Sequence, residues 1–140
     1  MMKRLMTLAL AAITFAAAPQ ALKAQDEDAL CPLGNATARG TYISHATGYV
    51  VGVGPIATVG VMTFDGKGTG LLNSTASVNG GISQGKLSAT YTLKSDCTMT
   101  LTMGDGSTYD GVFAPDGNSS DWMATVNGIV LSGTLKRIGH

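Results

Sequence analysis

The chain contains few side chains that could carry out acid–base or metal chemistry. Its two histidines are His45, inside an apolar stretch, and His140, the last residue. Neither belongs to an HxH or HxxxH spacing, so the sequence predicts no metal site and no cofactor. We expect His45 to occupy a surface or hydrogen-bonded position rather than a catalytic one.

The aspartates of the predicted domain fall into two settings. Asp65, Asp105 and Asp116 occupy predicted turns, where a short carboxylate side chain supports the backbone. Asp110 and Asp121 instead fall in or next to predicted strands, and Asp110 lies on the same strand face as Val112. If that face is the inner one, Asp110 lies near a rim, where burial would raise its pKa and allow proton exchange. A solvated position at a strand end is the favoured interpretation.

Motifs for nucleophilic catalysis and phosphate binding are not supported by their sequence context. The one Gly-x-Ser-x-Gly match, 81–85, runs into a predicted strand and lacks the strand-to-helix turn of a nucleophile elbow. The other serines and threonines are scattered as on solvent-facing strands. The glycine-rich stretch 66–70 lacks the following helix that would supply anion-binding amides, so it predicts a hairpin. The sequence therefore predicts no catalytic residue.

The N-terminus has the organisation of a secretory signal peptide. Lys3 and Arg4 precede an uncharged apolar run over 5–18, and small and polar residues lead to Ala24. The run is shorter than the roughly 20 residues that a membrane-spanning helix needs. We predict a signal peptide at 1–24 and a mature chain without a membrane span. It would be exported to the periplasm or the medium.

The cysteines and the charge balance fit an exported protein without a polyanionic partner. Cys31 and Cys97 are the only cysteines, and in an oxidising compartment such a pair is expected to form a disulfide. Loss of the basic residues in 1–24 leaves six basic against nine acidic residues. The only basic cluster in the mature chain is 136–137. We therefore expect no nucleic-acid partner.

Regularly spaced turn dipeptides predict an all-β domain. Asn-Gly and Asp-Gly pairs favour the left-handed backbone of tight hairpins. Five of them separate the β-rich runs, at 65–66, 79–80, 105–106, 116–117 and 127–128, and a sixth pair, 110–111, falls inside one. The predicted strands between them are 40–51, 56–64, 69–78, 82–94, 97–104, 108–114, 119–126 and 129–138. We expect an extended segment at 25–38 and one antiparallel meander at 39–140, closed as a small β-barrel; a two-sheet sandwich is the alternative.

Several segments resemble a family of small exported bacterial all-β proteins. The pattern begins with Gly40-Thr41-Tyr42 and continues through 57–68, 79–80, 89–93 and 96–98 to the Ser-Gly-Thr-Leu-Lys-Arg stretch at 132–137. The resemblance covers roughly 40–138 and implies a fold rather than an activity. In architecture it is loosely similar to lipocalin and allene-oxide-cyclase barrels. The Gly-x-Trp of a lipocalin first strand is absent, since the only tryptophan is Trp122.

The feature that suggests a function is the apolar face of the predicted barrel. Flexible methionines adapt to irregular ligands, and an eight-stranded barrel either packs its own side chains or holds one small ligand. The candidate ligand-binding residues are Tyr91, Leu93, Met99, Leu101, Met103, Asp110, Phe113 and Trp122.

Three functions remain open on the sequence alone. The favoured hypothesis is a non-catalytic module that binds a small apolar ligand or another partner. A cofactor-free cyclase or isomerase that uses Asp110, Tyr91 or Tyr109 is the first alternative. A structural surface or matrix component that self-associates through threonine-rich outer faces is the second.

Overall fold

The computed structural model describes residues 29–140, and the predicted signal peptide at 1–24 lies outside the described residues. A short 3₁₀ helix, Gly34–Ala38, precedes eight strands. The strands are β1 (Gly40–Val50), β2 (Gly54–Phe64), β3 (Thr69–Val78), β4 (Gly81–Leu93), β5 (Thr98–Met103), β6 (Thr108–Phe113), β7 (Ser119–Ala124) and β8 (Ile129–Gly139). Each predicted strand boundary lies within two residues of the observed one.

The eight strands form a closed antiparallel barrel with meander topology. Every strand pairs with the next along the chain, and β8 returns to pair with β1. The β1–β2 hairpin runs from Gly40 opposite Phe64 to Val50 opposite Gly54. The same Val50 lies opposite Ile129 on β8, so β1 is paired along its length on both sides. The all-β barrel is confirmed, and the sandwich alternative is wrong.

Turn chemistry explains why the hairpins close where the sequence predicts. Asn79 and Gly80 both have positive φ angles, 47° and 85°, as a two-residue hairpin turn requires. Asp65 accepts hydrogen bonds from the Thr69 hydroxyl at 2.6 Å and from the Lys67 amide at 2.7 Å. Hydrogen bonds from this turn lower the pKa of Asp65 to about 2. The bond from the Thr69 hydroxyl makes the largest contribution.

One end of the barrel is filled by aromatic side chains. Tyr42, Phe64, Tyr91 and Phe113 are each no more than 5 % exposed and meet edge to face. The Phe64 and Tyr91 ring centroids are 4.8 Å apart, and those of Tyr42 and Phe113 are 5.9 Å apart. Such pairs add stability beyond the apolar area they bury. We call these four rings the aromatic floor.

Arg137 ties the segment before β1 to the aromatic floor. Its guanidinium donates to the carbonyl oxygens of Thr37 at 2.7 Å and Arg39 at 2.9 Å, and to the Tyr42 hydroxyl at 3.1 Å. The same group lies 5.3 Å from the centre of the Tyr42 ring. The Tyr42 hydroxyl in turn donates to the Gly117 carbonyl oxygen at 2.7 Å. The 3₁₀ helix is thereby held over this end of the barrel.

The predicted disulfide between Cys31 and Cys97 is confirmed. The S–S distance is 2.00 Å, the Cα–Cα distance is 5.1 Å, and both residues are buried beside the aromatic floor. A structural disulfide is consistent with the oxidising compartment expected for an exported chain. Within 29–140 no helix is long and apolar enough to cross a membrane.

Candidate functional site

The barrel is closed at the aromatic floor and open at the opposite end. Along the inward face of β4, Leu93 and Ala89 are buried, Leu87 is half-buried, and Gly85 and Ser83 are exposed. The reason is strand length. Strands β5, β6 and β7 have six residues each, whereas β4 has thirteen, and β4 pairs with β5 only from Ala89 onward. The interior therefore becomes accessible where the short strands end.

A cavity of about 200 Å³ occupies the barrel interior above the aromatic floor. Its lining is mainly aliphatic, aromatic and methionine side chains, and none of the lining residues is charged. The lining residues are Ser44, Ile56, Thr58, Gly60, Met62, Phe64, Leu72, Ser74, Leu87, Met99, Leu101, Met103, Tyr109, Trp122, Ile129, Leu131 and Leu135. An engineered apolar cavity of about 150 Å³ accepts benzene, so this volume suits a ligand of one small ring or a short chain.

A few polar groups interrupt the apolar wall of the cavity. The hydroxyls of Ser44, Thr58, Ser74 and Tyr109 belong to residues that line it. Trp122 packs edge to face on Tyr109, with ring centroids 5.4 Å apart and an interplanar angle of 84°. A few hydrogen-bonding groups in an apolar wall are typical of small-molecule sites, where they fix orientation.

The indole nitrogen of Trp122 is an unusual feature of this wall. Among residues 29–140, Trp122 Nε1 is the one buried side-chain nitrogen or oxygen without a hydrogen-bond partner. Trp122 packs against both apolar clusters of the barrel, the one that includes the aromatic floor and the one toward the open end. Buried polar groups are paired in the great majority of cases, so an unpaired indole N–H calls for a physical reason.

The structure divides the eight predicted ligand-binding residues into three groups. Met99, Leu101, Met103 and Trp122 line the cavity. Tyr91, Leu93 and Phe113 are buried in the core at the closed end. Asp110 lies on the outer wall of the barrel.

Tyr91 takes a structural position in the floor. Its hydroxyl donates to the backbone carbonyl of Asn35 at 3.0 Å, below the floor. Burial raises the pKa of Tyr91 to about 12, and the negative charge of Asp65 adds to the effect.

The inward orientation considered for Asp110 is wrong, and the residue is exposed to solvent as the favoured interpretation predicted. On β6 the inward residues are Tyr109, Gly111 and Phe113, and Asp110 is exposed on the outer wall together with Val112. The inward orientation was inferred from apolar Val112, which lies on the same face of β6. Val112 is itself 55 % exposed on the solvent side, so this face is not the buried one. Asp110 belongs to a shallow outer groove that also contains Lys94, and not to the cavity. His45 is also exposed on the outside, in agreement with the expected surface position.

Most of the cavity lining comes from strands whose role was not predicted. Strands β1, β2, β3 and β8 supply eleven of the lining residues. On β2 the lining residues Ile56, Thr58, Gly60, Met62 and Phe64 follow strict two-residue spacing. That spacing was available in the sequence as a signal. It was obscured because β2 also carries Val59 and Val61 on the outside, 53 % and 42 % exposed.

The part of the chain from 29 to 140 has no group of three or more histidine, cysteine or acidic side chains placed to hold an ion.

Comparison with known proteins supports the fold and no further assignment. No protein-family model and no curated protein matches the chain. A redesigned β-barrel is similar with 23% identity and a TM-score of 0.50, over 79% of this chain and 99% of that one. A de novo designed fluorescence-activating β-barrel matches with 15% identity and a TM-score of 0.43, over 71% and 93%. An S-type phycobiliprotein lyase from Guillardia theta matches with 9% identity and a TM-score of 0.40, over 74% and 90%. At these identities the likeness concerns the fold alone, and the resemblance to an exported bacterial family stays a prediction.

Proposed function

We propose that this protein is an exported, non-catalytic carrier or sensor that binds one small apolar molecule inside its barrel. The observation that carries the proposal is the interior cavity of about 200 Å³, apolar, uncharged and reached from the open end. A cavity of this size is unusual in a protein interior, where packing normally leaves few voids larger than a water molecule. The cavity lowers the stability of the barrel, because larger side chains in its place would make additional dispersion contacts.

The shape of the barrel supports a ligand that enters from the open end and stops at the floor. The aromatic floor, the disulfide and the Arg137 hydrogen bonds stabilise the closed end. The open end has exposed Ser83 and Gly85 on the inward face of β4. A rigid closed end with an accessible opposite end is the arrangement of a preformed pocket, which reduces the ordering that binding requires.

The same geometry argues against the cyclase or isomerase alternative. That hypothesis assigned the proton transfer to Asp110, Tyr91 or Tyr109. Asp110 is on the outer wall, and the Tyr91 hydroxyl is hydrogen-bonded to Asn35 below the floor. Tyr109 is the remaining member of that set that lines the cavity. A phenol without a neighbouring charged partner in the lining is a poor proton donor or acceptor near neutral pH.

Titration with toluene tests the proposal directly. Trp122 is the only tryptophan in the chain and lines the cavity, so its fluorescence reports occupancy. We expect saturable binding of one toluene per chain with a Kd on the order of 1 mM or tighter. Native mass spectrometry of protein purified from its own host, before and after denaturation, would identify a natural occupant. Absence of both saturable binding and a non-covalent mass would contradict the proposal.

A matched pair of variants separates cavity binding from surface adsorption. Leu72 lines the cavity, whereas its neighbour Leu71 faces outward and is 48 % exposed. We expect Leu72→Phe to fill part of the volume and weaken toluene binding at least tenfold, while Leu71→Phe leaves it unchanged. Equal effects of the two substitutions would place the bound toluene outside the barrel.

A free strand edge favours self-association as a second candidate function. Residues 81–87 of β4 extend past β5 and have no partner strand on that side in the described part of the chain. The Ser88 carbonyl points toward β5, where it accepts from the Gly104 amide at 2.8 Å. Strand alternation therefore directs the backbone groups of Ile82, Gln84 and Lys86 to the free edge. Unpaired edges of this kind are templates for pairing with another chain.

The oligomeric state tests this second candidate. In an antiparallel pair of two β4 edges centred on Gln84, Ile82 of each copy lies opposite Lys86 of the other, which keeps the two lysines apart. We expect a dimer by light scattering that Gln84→Pro dissociates, because proline removes the edge N–H. Gln84→Ala retains that N–H and serves as the control. A chain that stays monomeric at high concentration would exclude the second candidate.

A further inference from the structure

We infer that the bound molecule is neutral and carries one hydrogen-bond acceptor, which it presents to Nε1 of Trp122. This inference rests on the proposed ligand-binding function and specifies the chemical class of the ligand. The class comprises small ketones, aldehydes, esters and ethers with an apolar body. Three features of the cavity lead to it: the missing charges, the position of Trp122 and the unpaired N–H.

The missing charges exclude an ionic group inside the barrel. None of the residues that line the cavity is charged, and the Arg137 guanidinium is engaged at the closed end by carbonyl oxygens and the Tyr42 hydroxyl. An ion transferred from water into an apolar cavity without a counter-charge is strongly disfavoured. The part of the ligand that enters the barrel is therefore neutral.

The unpaired N–H indicates what polar group the neutral ligand carries. Indole nitrogen is a donor only, so Trp122 can be satisfied by an acceptor and by nothing else. A buried donor without a partner is costly, and an occupant that supplies the acceptor removes that penalty on binding. A pure hydrocarbon fills the volume but leaves the N–H unpaired. The cavity therefore favours an acceptor-bearing ligand over a hydrocarbon of equal shape.

Access to Nε1 requires a modest rearrangement of the cavity wall. The Trp122 side chain lines the cavity, while its nitrogen is buried. Three of the lining residues are methionines, Met62, Met99 and Met103. Methionine is unbranched and changes rotamer readily, which makes such a wall adaptable to an incoming group.

Two ligands of nearly equal shape test the inference. Acetophenone and α-methylstyrene differ in that a carbonyl oxygen of the first replaces a methylene group of the second. Their affinities are measured by calorimetry for the natural chain and for Trp122→Phe. We expect the substitution to weaken acetophenone roughly three- to tenfold more than α-methylstyrene, the worth of one hydrogen bond. For each compound, the affinity for the natural chain is divided by the affinity for Trp122→Phe. This ratio does not depend on the water solubility of the compound, so the two ratios can be compared directly.

Nuclear magnetic resonance supplies a readout that does not depend on the variant. Because the chain has one tryptophan, a ¹⁵N-labelled sample gives one indole N–H signal. Acetophenone should move that signal downfield, and α-methylstyrene should not. If both compounds bind with equal effects on the signal and on the affinity ratio, the hydrogen-bond inference is overturned while the proposed function stands. If neither compound nor toluene binds, the proposed function itself fails.

Discussion

Removal of the Cys31–Cys97 disulfide should destabilise the barrel. The size of the effect depends on the length of chain between the two cysteines. The two residues are 66 positions apart. In the chain-entropy account, opening a loop of that length lowers the free energy of unfolding by about 4 kcal/mol. For a folded part of this size, that corresponds to a fall in Tm of about 15 °C. The double variant Cys31→Ala, Cys97→Ala is preferable to serine, because both positions are buried.

Urea unfolding followed by circular dichroism measures the effect. The entropic account requires a lower midpoint with an m-value that stays the same or rises, because the unfolded chain without the bridge is more expanded. The folded state keeps the Arg137 hydrogen bonds to Thr37 and Arg39. The natural chain unfolded in the presence of a reductant should match the double variant. A loss below about 1 kcal/mol would refute the entropic reasoning. A fall in m-value would show instead that the 3₁₀ helix detaches from the folded barrel when the bridge is absent.

Two further outcomes follow from individual side chains. The pKa of Tyr91 is raised to about 12 in the folded chain against 10.0 in its ordinary state, so the folded state retains the proton longer. Its contribution to stability is therefore complete below pH 10 and is lost as the pH rises toward 12; urea unfolding between pH 8 and 12 should show a weaker decline for Tyr91→Phe. A Cβ at Gly48 would lie 1.8 Å from the Val130 carbonyl oxygen, whereas a Cβ at Gly85 meets nothing within 4 Å. Gly48→Ala should destabilise the barrel by more than about 1 kcal/mol, and Gly85→Ala should be neutral or stabilising by less than that; equal effects in urea unfolding would contradict the β1–β8 register.

The fold was predictable because its determinants are local. Asn-Gly and Asp-Gly pairs specify where hairpins turn, and the alternation along β4 and β5 separates an inner from an outer face. Turns of two to five residues leave antiparallel neighbours as the only pairing. Closure is favoured because an eight-stranded meander can pair its two terminal strands, β8 with β1. Each of these steps uses residues that are adjacent or nearly adjacent in sequence.

The site was predictable only in part because the inner face is not the only apolar face. Ile82, Val130 and Val59 are 68 %, 65 % and 53 % exposed on the outside of the barrel. Where both faces carry apolar side chains, polarity alone does not decide which one is buried. That ambiguity misplaced Asp110 and hid the contribution of β2. The segment before β1 was equally hidden, because its role comes from Arg137, which is distant in sequence.

The size of the inward side chains along each strand explains why the cavity lies above the floor and what keeps it open. On β1 the inward residues run from Tyr42 through Ser44 and Ala46 to Gly48, so the volume they supply falls steadily toward the open end. Closure of the barrel accounts for Gly48, because the β8 backbone approaches too closely for a side chain there. It does not account for hydroxyls at Ser44 and Ser74, where an aliphatic residue would fill the space and avoid burying a polar group. Small polar residues in the same apolar wall as an unpaired indole donor are what the proposed ligand-binding function requires and what packing alone does not explain.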